Sequence, residues 1–218
     1  DVGSPATEAN SRMLRILGRN NSSNVQKVLW TCDELGLSYE RDDIGGPFGG
    51  NHEPQYLAMN PNGLVPTVID DDIVLWESNV IVRHLVRKHA PNDLSPDDPV
   101  RLAVAEQWMD WQQTVVGPAI FPVFWGLVRT APEDRDAEVI SAGRNRLEKG
   151  VSILDARLSV TAFVGGEDFS MADIPLGIMV YRWFNLEIER RDLPDLARWY
   201  QLLTERPAFE NNVMIGLT

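Results

Sequence analysis

The stretch that most constrains this chain runs from Asn60 to Ser78, NPNGLVPTVIDDDIVLWES. Asn60-Pro61-Asn62-Gly63 is a turn by composition, because proline fixes φ and glycine accepts φ > 0. Two short apolar runs follow, Leu64 to Ile69 and Ile73 to Trp76, with Asp70-Asp71-Asp72 between them. Short β-branched runs around a polar connector predict a β-hairpin. Pro66 cannot donate to a ladder, so its run is expected to be an edge strand or to open one. Glu77-Ser78 then leads into Asn79 to His89, where Val80, Ile81, His84 and Leu85 recur at helical spacing.

The N-terminus of that helix presents unpaired N–H groups and partial positive charge, which suits a carboxylate. A strand-opening proline upstream would leave the backbone groups of Val65 facing outward. Together they could hold a small extended peptide by its main chain and its anionic end. An ordinary hairpin and a Ser-capped helix would carry the same pattern.

At 218 residues the chain can build one large core or two modest ones. Its net charge of −12 disfavours nucleic-acid phosphates and anionic membrane surfaces as partners. No apolar run approaches the ~18 residues of a membrane span. A single cysteine permits no internal disulfide, which fits a reducing, cytoplasmic compartment. Residues 1–12 lack a basic start and an apolar centre, so they do not look like a signal peptide. They are expected to be a disordered or cloning-derived leader, with Met13 as the start.

Met13 to Gly18 predicts a first strand, and Arg19 to Asn24 a polar turn. Val25, Val28, Leu29, Cys32 and Leu35 then form a core-facing helical stripe. Ser23 with Gln26 is expected to make the capping box of that helix, and Gly36 to end it. Leu37 to Ile44 begins a second strand, and Gly45 to Gly50 (GGPFGG) is a loop. It lacks the GK[ST] ending of a phosphate-binding loop. Residues 13–89 thus give βαβ followed by ββα. Residues 90–98, rich in proline and acid, are expected to be a linker.

Residues 99–218 are helical in pattern. Pro99 to Arg129 forms one long segment that Pro118 and Pro122 are expected to break or kink. Trp108 and Trp111 are expected on nearly opposite sides, with at least one in the core. Arg135 to Leu158 is a second helix. Ser170-x-x-Asp173 caps a third, with Phe169 and Ile174 as its hydrophobic staple. A last helix, Leu193 to Glu205, should stop at Pro207. There is no internal repeat.

Cys32 lies on the apolar face about two turns into its helix. A reactive thiol would sit at the helix N-terminus, so Cys32 is read as a packing residue. His84 and His89 lie among Arg83, Arg87 and Lys88 and are expected at the surface or the helix end. No metal-ligand spacing occurs.

NPNGLVPTV followed by a strand ending in WES resembles the glutathione-binding half of the cytosolic glutathione transferases. The resemblance implies an α/β plus all-α chain. A thioredoxin-like domain with a mixed four-stranded sheet would occupy 13–89, and an all-helical domain 99–218. It implies a cis bond at Pro66, a Val65 backbone paired with the cysteinyl unit of glutathione, and Glu77 and Ser78 at its γ-glutamyl end. NSSNVQKVLW is most similar to the serine-type (theta- and zeta-like) bacterial branch, of the GstB type. There the catalytic serine ends the loop after the first strand, which is Ser22 here. Some bacterial branches use an asparagine two positions later, Asn24. Both side chains can donate to a thiolate. Ser22, Ser23 and Asn24 could equally compete to cap one helix. His52, or its neighbour Asn51, falls where the family sets a side chain against the glycyl carboxylate, although His52 could be a plain loop residue.

A free cysteine thiol titrates near about 8.5, so only ~3% is thiolate at pH 7. A hydrogen bond to a charged partner is worth roughly 1.5–3 kcal/mol, or about one to two pK units. A hydroxyl donor with a helix dipole can therefore bring the thiol near neutrality without a general base. The resemblance thus implies glutathione as co-substrate, no metal, and attack on an apolar or halogenated electrophile. It also implies a homodimer formed through the helical domain, with Pro118 to Trp125 as the electrophile wall. Glutathione-dependent disulfide reduction, where Asn24 would matter more, and a non-catalytic binding relative are the alternatives.

Overall fold

The computed structural model describes residues 13–89 and 94–218. The expected leader and the first four residues of the expected linker lie outside the described residues. The first elements are β1 (Leu14–Leu17), α1 (Ser23–Glu34), β2 (Tyr39–Asp42), α2 (Pro54–Met59), β3 (Thr67–Asp70), β4 (Ile73–Trp76) and α3 (Ser78–His89). The strands form one sheet in the order β2-β1-β3-β4, with β1 parallel to β2 and the other pairs antiparallel. This is a thioredoxin-like domain. Ile16 and Val68 from the sheet, the α1 stripe of Val25, Val28, Leu29 and Cys32, and Ile81 and Leu85 of α3 form its core.

Pro66 lies just before β3, an interior strand between β1 and β4, so the proline opens a strand and does not mark an edge. The hairpin connector is tied to α3: buried Asp70 receives His84 Nε2 at 2.7 Å and Lys88 Nζ at 2.8 Å. The short helix α2 was not legible in the sequence. Six residues give no usable period, and Pro54 sits in its first turn, where a missing N–H is harmless.

The second half is all-helical: α4 (Pro99–Trp111), α5 (Gly117–Phe124), α6 (Ala137–Leu158), α7 (Asp173–Asn185), α8 (Pro194–Thr204) and α9 (Pro207–Val213). Pro118 and Pro122, expected to break or kink the segment from Pro99 to Arg129, do not end it, for the helical run continues through both. A π-helical segment, Gln112–Val116, carries α4 into α5, and a second, Trp125–Arg129, follows it. Gly117 N–H reaches back five residues to Gln112 O, and Pro118 occupies the first turn of α5. The helix α8 does stop before Pro207, as expected, but Pro207 then starts a further helix, α9. Trp108 and Trp111 do not diverge: three residues apart, they meet edge to face at 5.0 Å, both half-buried.

Asp173 is fully buried at the head of α7. One oxygen accepts from Ser170 N at 2.9 Å, and the other from Val164 N and Trp199 Nε1, each at 2.9 Å. The expected cap is present and also anchors a loop and α8.

Helix α1 is buried on two sides. Trp30, on the side away from the sheet, belongs to the helical core and packs on Phe209 at 4.8 Å. Gly177 of α7 admits it, since a Cβ there would lie 2.9 Å from the indole. Arg206 grips Glu34 of α1 through Nε at 2.8 Å and Nη2 at 2.6 Å. Among the described residues no helix is long and apolar enough to cross a membrane.

Candidate functional site

The NPNG turn is held by its first residue. Asn60 Nδ2 donates to Leu64 O at 2.8 Å and to Thr67 Oγ1 at 3.1 Å, and Gly63 takes φ +62°. Tyr56 of α2 donates to Leu64 O at 2.6 Å, fixing the approach to the cis Val65–Pro66 bond. At the other end of the hairpin Glu77 adopts φ +71°, a left-handed conformation costing a non-glycine residue about 1 kcal/mol or more. That bend turns β4 into α3 and leaves the Glu77 carboxylate exposed beside the helix N-terminus.

A cleft of about 330 Å³ opens between the two halves of the chain. Ser23, Asn24, Lys27, Glu77 and Ser78 border it on the sheet side, and Gln112, Gln113, Pro118, Ile120, Phe121, Met179 and Arg182 on the helical side. A recess of about 50 Å³ adjoins it, bordered by Asn62, Leu64, Val65, Pro66 and Trp76 and sharing Asn24, Glu77 and Ser78. Five of the expected site residues, Asn24, Val65, Pro66, Glu77 and Ser78, therefore come together.

Ser22 borders neither cavity. The expected Ser23–Gln26 box is not formed, because α1 starts one residue earlier. Ser22 is its cap residue, its carbonyl accepting Gln26 N at 2.8 Å, while its Oγ makes no capping bond. Its N–H bonds Arg19 O at 3.3 Å, which folds it onto the loop after β1. That loop abuts the recess, for a Cβ on Gly18 would stand 3.3 Å from Val65 Cβ. Asn24 borders both cavities, its Oδ1 accepting from Ser78 Oγ at 3.2 Å.

His52 is exposed and borders neither cavity. Asn51 Nδ2 donates to Gly63 O at 2.7 Å and lies 3.3 Å from His52 Nε2, so the pair braces the NPNG turn. Cys32 is fully buried in the sheet core, and burial pushes its thiol up to about 12. Of the expected electrophile wall, Pro118, Ile120 and Phe121 reach the cleft. Val123 and Phe124 are core residues, and Trp125 stacks on Phe121 at 5.5 Å. Among the described residues no three His, Cys, Asp or Glu side chains are grouped to hold a metal.

Sequence inspection passed over Lys27, Gln112 and Gln113. Lys27 is fully buried and donates from Nζ to Gln112 Oε1 at 3.0 Å and Ser78 Oγ at 3.3 Å. Gln113 Nε2 reaches Glu77 Oε2 at 3.4 Å. One signal was available: Asn24 and Lys27 stand three apart and so share a helix face. The glutamines belong to a distant segment that only the fold brings near.

Two adjacent domain families match this chain: the glutathione S-transferase N-terminal domain over residues 21–88 and the C-terminal domain over 104–207. The chain belongs to the glutathione S-transferase family. It is 45% identical to glutathione S-transferase GstB of Escherichia coli strain K12, over 94% of this chain and 100% of that one. The theta class glutathione S-transferase from the citrus canker pathogen Xanthomonas axonopodis pv. citri, solved with glutathione bound, superposes with a TM-score of 0.92. It is 44% identical, over 94% of this chain and 99% of that chain. Glutathione S-transferase 4 of Zea mays is more distant, 27% identical over 89% of each chain.

Proposed function

We propose that the cleft and recess bind glutathione and ionise its thiol for transfer to an apolar or halogenated electrophile. The observation that carries this is the placement of Glu77 and Ser78, at the N-terminus of α3, along one cavity wall with the cis Val65–Pro66 unit. The γ-glutamyl amine would meet Glu77, and its carboxylate Ser78 and the first N–H groups of α3. The cysteinyl backbone would pair with Val65. Its sulfur would then point to the loop beside Gly18, where Ser22 Oγ is uncommitted; Asn24, tied to Ser78, serves the γ-glutamyl end. The glycyl end would lie toward Asn51 and His52, and the electrophile against Pro118, Ile120 and Phe121. The serine donates to the thiolate and does not itself attack. The glutathione in the Xanthomonas relative supports this ligand. The working protein would be a cytoplasmic homodimer in detoxification.

Two measurements test this. Replacing Glu77 and Ser78 together by alanine should abolish retention on immobilised glutathione, and a folded double variant retained like wild type would remove the site. Ser22→Ala should raise the titration of the bound thiol by about one to two pK units, read as thiolate absorbance against pH. Glutathione affinity should stay nearly constant. An unchanged titration in Ser22→Ala beside a shifted one in Asn24→Ala would move the thiolate donor to Asn24.

A further inference from the structure

Lys27 has no role in the site as described so far, and its surroundings are unusual for an ammonium. It is fully buried at the junction of α1, α3 and the π-helical segment after α4. Its two hydrogen-bond partners are neutral oxygens, Ser78 Oγ and Gln112 Oε1. Among the described residues no Asp or Glu forms an ion pair with it. The charged groups facing it are Glu77 at the β4–α3 bend, Arg83 on α3 and Arg182 on α7. Arg83 is itself held by Asp110 and Glu106 of α4. Burial pushes Lys27 down to about 7; Glu77 opposes the shift, and Arg182 and Arg83 add to it. A buried cation without a counter-ion is costly, and the usual resolution is a nearby anion or loss of the proton. Lys27 borders the cleft beside Ser78, where an anionic group could reach it.

We propose that Lys27 is the buried counter-charge for the anionic end of the ligand, taking up a proton from solvent as a carboxylate docks at Ser78. This rests on the glutathione assignment above and adds a linkage to it. The incoming carboxylate would take the Ser78 hydroxyl hydrogen that Asn24 Oδ1 otherwise accepts, while Nζ, 3.3 Å from that oxygen, supplies the neutralising charge. Gln112 holds Nζ from the helical half, so ligand binding would also tighten the junction between the two halves.

The chain contains three lysines, Lys27, Lys88 and Lys149, so a titration followed by NMR of ε-13C-labelled lysine can resolve each in the unaltered protein. S-methylglutathione is the probe, because it has no thiol to titrate. In the free protein one lysine signal should titrate well below the other two, and saturating probe should raise its midpoint by at least one unit. A single low midpoint that bound probe leaves unmoved, or three ordinary midpoints, overturns the proposal. Failure of the probe to bind at all would instead sink the glutathione assignment. As a second readout, calorimetry at pH 7.5 in phosphate and in Tris should show proton uptake on binding. That uptake should disappear in Lys27→Met and Lys27→Gln. Uptake retained in a folded Lys27 variant would assign the proton elsewhere.

Discussion

Cys32 and Lys27 lie five residues apart on α1, both fully buried, and burial moves their titrations in opposite directions: the thiol up to about 12, the ammonium down to about 7. In each case the neutral form is the one that tolerates a dry site. For the cysteine this excludes a thiolate at working pH, as its place on the apolar stripe already suggested. Cys32→Ala should keep transferase activity and lose only about 1 kcal/mol of stability, measured by urea unfolding. A folded but inactive variant would require a mixed-disulfide mechanism. For the lysine, sequence gave no such warning. A hydrophobic-period argument sorts residues into one buried face and one wet face, and α1 has two buried faces. Val25, Val28 and Leu29 were legible because they are apolar; Trp30 was not, because it packs in the helical half, and Lys27 was not, because it bonds Ser78 and Gln112, one from each half.

At the scale of elements, most signals confined to a few residues survived, the Ser23–Gln26 box being the exception, and those depending on neighbours did not. The hairpin, the α1 stripe and the Ser170–Asp173 cap are local chemistry, and each formed where expected. Proline gave an incomplete reading: Pro118 and Pro122 do not end the helical run, and Pro207, before which α8 does stop, also starts α9. Its missing N–H and fixed φ are local facts, but their effect depends on whether a π turn or a new first turn absorbs them. The cap on α7 does more than its four-residue motif indicates, since Asp173 accepts donors from Ser170, the Val164 loop and Trp199 of α8. Removing it leaves two backbone N–H groups and an indole N–H buried without partners. Each unsatisfied donor costs about 1–3 kcal/mol. Asp173→Ala should therefore lower stability by roughly 3 kcal/mol or more, seen as a fall in thermal midpoint. A loss below ~1 kcal/mol would mean that water or a neighbour replaces the carboxylate.

At the scale of the whole molecule, one exposed apolar strip lies on the sheet domain. β4 is an edge strand, and Ile73, Val74 and Trp76 on it are each about two-fifths exposed, with Val80 of α3 alongside. An exposed apolar edge strand invites a second chain. Arg83, His84, Arg87 and Lys88 flank Val80, and each is already paired with a carboxylate of this chain, so the apolar strip rather than charge would carry the contact. The homodimer expected from the resemblance would in that case use β4 and α3 as well as the helical half to which it was assigned from sequence. Trp76 also borders the recess beside Val65, so covering the strip would stiffen one wall of the proposed glutathione site. The test is light scattering on wild type and on the double variant Val74→Glu, Val80→Glu, both positions being exposed enough to accept charge without unfolding. Wild type should run at twice the chain mass and the variant at the chain mass, with glutathione bound several-fold more weakly. A wild-type monomer at micromolar concentration would rule out the homodimer, and a variant that remains dimeric would place the interface away from β4.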